Sequence, residues 1–373
     1  MGGDVKAGAQ GLLRRADDCV RRNTAASLAA AICACDEAIA FLGGRRAAGN
    51  PSARHPLGIA WMTRGNATMQ LGGPGCLGEA IRCYDQAIAC LGELPVEADG
   101  EWIADLAAAW TNRGRALQRE GAAHGPSEAV HCCDQAIALF RRLPIGASRR
   151  FRHNLAAAWI NRAESLLGAS PPLASEAADS AREAIALVAE AEADDLFAGE
   201  IGLKARCALG RALESRLAAG GSAGRPAAAL IAAATDAAER GLELALSWRR
   251  RGADQFHPLA AWFFEFGARI YGSYQPQFLA EFILETMEPP RLLAAVAAAE
   301  TEFHSIAAEA LTRALSHLRS PRLLMAGTTE TDRLIGTWRE LNVARERLEH
   351  ITHAQFEERL GRQLIAGEVL VNG

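Results

Sequence analysis

Apolar positions recur every three to four residues along most of the chain, and short clusters of Gly, Pro and Asn interrupt them. The pattern opens near Gly11 with LLRRADDCVRR. Asn23-Thr24 breaks it and can cap a second helix, AASLAAAICACDEAIAFL, which ends at Gly43-Gly44. RRAAGNPSARHP then reads as a loop. A second pair follows, GIAWMTRGNATMQL (Gly58–Leu71) and EAIRCYDQAIACLGELP (Glu79–Pro95), around the break GGPGCLG. A third covers Ala109–Pro144. The fourth is AAWINRAESLL (Ala157–Leu167) with EAADSAREAIALVAE (Glu176–Glu190). No stretch of any length alternates with a period of two, so the expected fold is all-α.

The pairs recur in register. Trp61, Trp110 and Trp159 are 49 residues apart, as are Arg15, Arg64, Arg113 and Arg162. Ile39, Ile88, Ile137 and Ile185 follow at 49, 49 and 48. Recurrence at this length marks a solenoid, in which each hairpin buries its apolar face only by stacking on its neighbours. A fifth pair is expected from Leu203–Leu217 and the Ala-rich run after Pro226, and a degenerate sixth around Trp262. From Arg291 the pattern changes to one long amphipathic helix and two further helices, with EVLVNG as a frayed tail.

AWTNRGRAL resembles the first helix of the tetratricopeptide repeat, with Trp110, Asn112, Gly114 and Ala116 in place. The second helices repeat a small–large–small series spaced four and three, as in Ala80, Tyr84 and Ala87. The resemblance implies a right-handed superhelical array of antiparallel helix hairpins, closed by a C-terminal helical region. The expected division is a disordered lead at 1–8, the array at 9–252, and a degenerate repeat with the C-terminal helices at 253–373. The family period is about 34 residues, whereas here it is 49. Most of the excess lies between Pro144 and Trp159, enough for two to three extra turns ahead of the Trp.

Composition narrows the function. A formal charge of −4 gives no general attraction to nucleic acid or anionic lipid. No 18-residue apolar stretch lacks charge, so no membrane span is expected. The N-terminus carries no apolar run of signal-peptide length, and nine Cys, an odd number, read as small buried hydrophobes in a reducing cytoplasm.

In the tetratricopeptide family the first helices line a concave groove. The resemblance therefore makes Asn66, Asn112, Arg115 and Asn161 the candidate contacts to a protein or peptide partner. The residues four before Asn112 and Asn161 are Ala108 and Ala157, so the basic partners of a carboxylate clamp are missing. The Arg series is read as structural, pairing within each hairpin: Arg15–Asp36, Arg64–Asp85 and Arg113–Asp134. Position 182 breaks that series with Arg. WFFEF cannot turn all its rings to one helix face, so Trp262, Phe263, Phe264 and Phe266 are either covered by the C-terminal helices or form a hydrophobic partner site.

Gly73–Gly78 matches G-x-G-x-x-G but follows a helix and lacks a βαβ unit, so it reads as a turn. His350 and His353 have no dense ligand set around them. No catalytic residue, metal or cofactor is expected. The function that follows is a non-catalytic binding scaffold or adaptor. The alternative is a sensor in which a peptide or small molecule closes the superhelix and shifts the C-terminal helices. Oligomeric state and partner identity are not encoded in any motif.

Overall fold

The computed structural model describes residues 2–43, 51–95, 99–121, 125–221 and 228–275. The expected helices after Arg291, the second half of the sixth pair, and His350 and His353 lie outside them. Every element among the described residues is helical. The chain divides into two compact units, Met1–Val188 and Ala189–Gly373.

The first unit is four hairpins: α1 (Gly2–Arg22) with α2 (Ala25–Leu42), α3 (Pro51–Leu71) with α4 (Cys76–Gly92), α5 (Gly100–Glu120) with α6 (Gly125–Phe140), and α7 (Arg149–Leu167) with α8 (Ala174–Val188). Each helix packs on the next, which makes an array. The first helices α1, α3, α5 and α7 also touch one another in succession. No pair of second helices in this unit is as close.

Local signals set the boundaries. Thr24 caps α2: its hydroxyl accepts from the Ser27 N–H at 3.1 Å, and the Ser27 Oγ accepts from the Thr24 N–H at 2.9 Å. Asp99 and Ser148 cap α5 and α7 by the same logic. The G-x-G-x-x-G segment is the α3–α4 turn, where Gly72, Gly73 and Gly75 take φ values of 70°, 99° and 78° that disfavour side chains. The long period is accounted for by longer first helices. Pro51, Gly100 and Arg149 open α3, α5 and α7, ten residues ahead of Trp61, Trp110 and Trp159 in each case. Two sequence expectations change here. The segment RRAAGNPSARHP is helical from Pro51, because Pro is well placed at a first helical position. The lead expected to be disordered is helical from Gly2, since 2–8 holds no Pro to stop α1 from extending.

The cores lie between hairpins. One cluster joins Met69 of α3, Ala80, Ile81 and Tyr84 of α4, Ala116 and Leu117 of α5, and Ala129 and Cys132 of α6. The next joins Ile103 and Ala107 of α5, Ile137 and Phe140 of α6, and Phe151 and Leu155 of α7, with Trp110 and Trp159 packed against it. Within each hairpin the contact is tuned by a complementary pair. These are Ala16 with Cys35, Gly65 with Tyr84, Gly114 with Cys133, and Ala163 with Ala181, all buried. The largest ring faces a glycine: a Cβ on Gly65 would stand 2.8 Å from Cε1 of Tyr84.

Among the described residues, α2 is the one helix long and apolar enough to cross a membrane. In the array it buries Leu28, Ala31, Ala34, Cys35, Ala38 and Leu42, and its Asp36 binds Arg64.

The second unit holds α9 (Leu196–Gly221), α10 (Ala228–Arg250), a short 3-10 turn at Asp254–Phe256, and α11 (His257–Tyr274). These match the fifth pair and the first half of the sixth. Helix α11 packs on both α9 and α10. Phe263 and Phe266 are fully buried, so they cannot offer an exposed partner site. Glycines open the space for them. A Cβ on Gly241 would overlap the Phe263 ring, and one on Gly210 would meet Phe266 at 2.9 Å. Trp262 stacks on Phe266 with centroids 5.1 Å apart. Trp262 and Phe264 are half-buried.

The Gly65–Tyr84 contact gives a test by double substitution. Gly65→Ala alone is expected to cost about 1–3 kcal/mol from overpacking. Combined with Tyr84→Cys, which copies the Ala16–Cys35 pair, the cost of adding the methyl should vanish. Urea unfolding of the four variants measures the coupling, and strictly additive costs would show that the two positions are not complementary.

Candidate partner-binding face

The four predicted contact residues lie on the first helices: Asn66 on α3, Asn112 and Arg115 on α5, Asn161 on α7. The structure brings two of them together. The Asn112 amide donates to Asn66 Oδ1 at 3.1 Å, and the same oxygen accepts from the Tyr84 hydroxyl at 2.9 Å. Asn66 and Asn112 are half-buried and hold adjacent hairpins in register. In the sequence Tyr84 is the large member of the small–large–small series Ala80, Tyr84 and Ala87. Its hydroxyl is a further member of the site that the sequence did not single out. Burial drives the Tyr84 pKa up, against the charges of Arg115 and Arg119 nearby, so the phenol stays a donor.

Arg115 is exposed, and so is Arg119 one turn further along α5. Asn161 is half-buried, and its backbone carbonyl accepts from the Ser165 hydroxyl at 2.8 Å. Further polar pairs link the first helices. His55 Nε2 and Asp105 Oδ2 are 2.7 Å apart between α3 and α5. Gln118 donates to Glu164 at 3.1 Å, and Arg150 pairs with Glu101, between α5 and α7.

The repeated Arg lies beside this face and is internal, as expected. The pairing, however, runs between hairpins, which corrects the expected partners. Arg64 Nε donates to Asp36 at 2.7 Å, Arg113 Nε to Asp85 at 2.6 Å, and Arg162 Nε to Asp134 at 2.7 Å. Each Asp belongs to the preceding hairpin. The other end of each guanidinium holds its own hairpin. Arg64 reaches Glu79 and Cys83 of α4, Arg113 reaches Glu128 and Cys132 of α6, and Arg162 reaches Ser180 of α8. The three Arg side chains are only 15–18% exposed. Arg15, at the same repeat position in the first hairpin, is exposed. The sequence did carry a signal for this direction. Pairing within the fourth hairpin would set Arg162 against Arg182, whereas pairing backwards makes every contact opposite in sign.

The same contacts revise the role of two cysteines. Cys83 and Cys132 each accept a guanidinium N–H at 3.0 Å, in the place where Ser180 does so in the fourth hairpin. Burial raises the pKa of both thiols, and pushes those of Cys35 and Cys133 up to about 12. Thiols so raised are neutral near pH 7 and poor nucleophiles. Arg64 and Arg113 keep their charge. Burial opposes it, but the hydrogen bonds to Asp36 and Asp85 and the remaining partners raise both pKa values. No group of three or more metal-ligating side chains occurs among the described residues.

Comparison with known proteins gives no match to a family model and none to a curated protein.

Two predictions follow from the Arg series. Arg113→Met should cost about 2–3 kcal/mol, since it removes charged hydrogen bonds to two hairpins. Arg15→Met, at the same repeat position but exposed, should stay within about 0.5 kcal/mol. Equal shifts in urea midpoint would remove the inter-hairpin role. The second concerns acid. Bonds from Arg82 and then Arg64 lower the Glu79 pKa in the folded state. Its contribution is therefore present above the unfolded carboxylate pKa of about 4.3 and lost as pH falls through the depressed folded value. Glu79→Gln should flatten the loss of stability between about pH 5 and pH 3. An unchanged acid limb would mean that Glu79 is not a contributor.

Proposed function

We propose that the first unit is a tetratricopeptide-like, non-catalytic scaffold that binds a peptide segment of another protein along the shared face of α1, α3, α5 and α7. The observation that supports this most is the contact pattern. The first helices touch in succession and the second helices are further apart, so the array bends toward the first helices and their face is the concave one. A concave helical face can follow an extended segment over several hairpins and contact it once or twice per repeat. On this face the exposed cations Arg115 and Arg119 sit beside the Asn66–Asn112–Tyr84 group. The fixed amides set the spacing of the hairpins, and the two arginines project as the contact groups.

In this reading the protein is an adaptor that works in the cytoplasm. The buried free thiols are compatible with a reducing compartment. Specificity resides in Arg115, Arg119 and Asn161, with Asn66 and Asn112 acting mainly through hairpin register.

The test is selection of binders from a random-peptide display library with the full chain, followed by affinity measurement. Selected peptides should lose at least about tenfold in affinity, roughly 1.4 kcal/mol, with Arg115→Ala/Arg119→Ala. Phe41→Ala, at an exposed position on α2, should bind as wild type. Undiminished binding by the double variant would sink the proposal for this face.

A further inference from the structure

A cleft of about 410 Å³ opens between the third and fourth hairpins, on the side of the second helices rather than on the face just described. Trp159 of α7 forms one wall. Asp134 and Arg141 come from α6, and Glu176, Asp179 and Glu183 from α8. Because the chain repeats, the equivalent positions can be compared from hairpin to hairpin. At the junction before it, Trp110 stands where Trp159 does, and His131 packs edge-on against its ring with centroids 6.2 Å apart. In the second hairpin the residue at the His131 position is Arg82. Its Nε donates to Glu79 at 3.0 Å, so that one carboxylate serves two guanidiniums, Arg82 and Arg64 at 2.6 Å.

The fourth hairpin changes the residue at this position to Asp179. It is short, 76% exposed, and turned to Arg182 at 2.8 Å. Glu176 is the equivalent of Glu79. It meets Arg162 only at 3.7 Å, because Arg162 Nη1 donates to the Ser180 hydroxyl at 2.8 Å instead. The imidazole or guanidinium of this position is thus replaced by a carboxylate here, and Arg141, at the place of Gly92 in the second hairpin, reaches the indole instead. Four carboxylates line the cleft against two guanidiniums, and one of those, Arg162, is held by Asp134. The indole accepts guanidinium groups already: Arg141 lies 5.2 Å from the Trp159 centroid.

We infer that this cleft binds an arginine side chain presented by a partner protein, the guanidinium resting on Trp159 and bonded to Glu176 and Glu183. Charge complementarity and the guanidiniums already held by this indole support that occupant. A planar guanidinium stacks on an indole and spans two carboxylates, which an ammonium cannot do. Arg141 holds the same indole when the site is empty and competes with the incoming group.

The probe is the peptide acetyl-Gly-Ser-Arg-Ser-Gly-amide, titrated into the full chain while the Trp159 indole N–H is followed by NMR. That resonance is assigned by its loss in Trp159→Phe. A saturable shift is expected with the Arg peptide, a weaker one with Lys in its place, and none with Ala. Glu176→Gln/Glu183→Gln should weaken binding at least about tenfold. Arg141→Ala should tighten it. All three residues are exposed, so unchanged melting curves confirm that the variants fold. Failure to saturate, equal shifts from the Ala peptide, undiminished binding by the double carboxamide variant, or weaker binding by Arg141→Ala would each overturn the assignment. Arg115→Ala/Arg119→Ala should leave this titration unchanged, so this site and the first-helix face stand or fall separately.

Discussion

One guanidinium holds three helices at every junction of the array. Its Nε reaches back to the Asp of the hairpin before, and its far nitrogens hold the second helix of its own hairpin. Fixing an ion pair in a site only 15–18% exposed on the Arg side carries a desolvation cost. Here that cost is kept small, because the Asp partners remain about half-exposed and every guanidinium finds several acceptors. The net gain is that of a few charged hydrogen bonds, and the larger return is geometric. Ala-rich helices offer shallow ridges that slide easily. A forked cation with acceptors on two hairpins fixes how far each hairpin advances on the last.

The apolar contacts work within that frame. The pairs Ala16–Cys35, Gly65–Tyr84, Gly114–Cys133 and Ala163–Ala181 trade volume across the same helix–helix contact. Different residue pairs thus fill this contact in different hairpins while the charged contact keeps its length of 2.6–2.7 Å. Where a ring faces a glycine, at Tyr84 and Gly65, the ring carries a hydroxyl, and that hydroxyl reaches Asn66 on the first-helix face. Core packing and the arrangement of the proposed binding face are thus coupled through Tyr84.

Much of this was legible in the sequence. The 49-residue recurrence gave the hairpins, Thr24 gave a helix start, and the extra residues before Trp159 are helical as expected, whereas those before Trp61 read as a loop and are helical from Pro51. Three things were not legible. Periodicity gives the face of a helix but not which neighbour it meets, so the Arg series was paired inside the hairpin although Arg182 argued against it. Asn66 and Asn112 are polar residues on the expected face, and sequence cannot distinguish an amide that waits for a ligand from one that bonds its neighbour. The cover of the WFFEF rings is not legible either, since the glycines that admit Phe263 and Phe266, at 241 and 210, lie on other helices.

The direction of the Arg series makes each junction between the four hairpins polar. The first hairpin supplies an acceptor, Asp36, and its own Arg15 is exposed, whereas the fourth places Arg182 where the next acceptor would be. Stacked hairpins of like shape risk joining out of order or adding further molecules end to end without limit. A second molecule offering its Arg15 to position 182 would set one guanidinium against another. The charge pattern that orders the hairpins within a molecule therefore also disfavours pairing Arg15 of one molecule with the fourth hairpin of another.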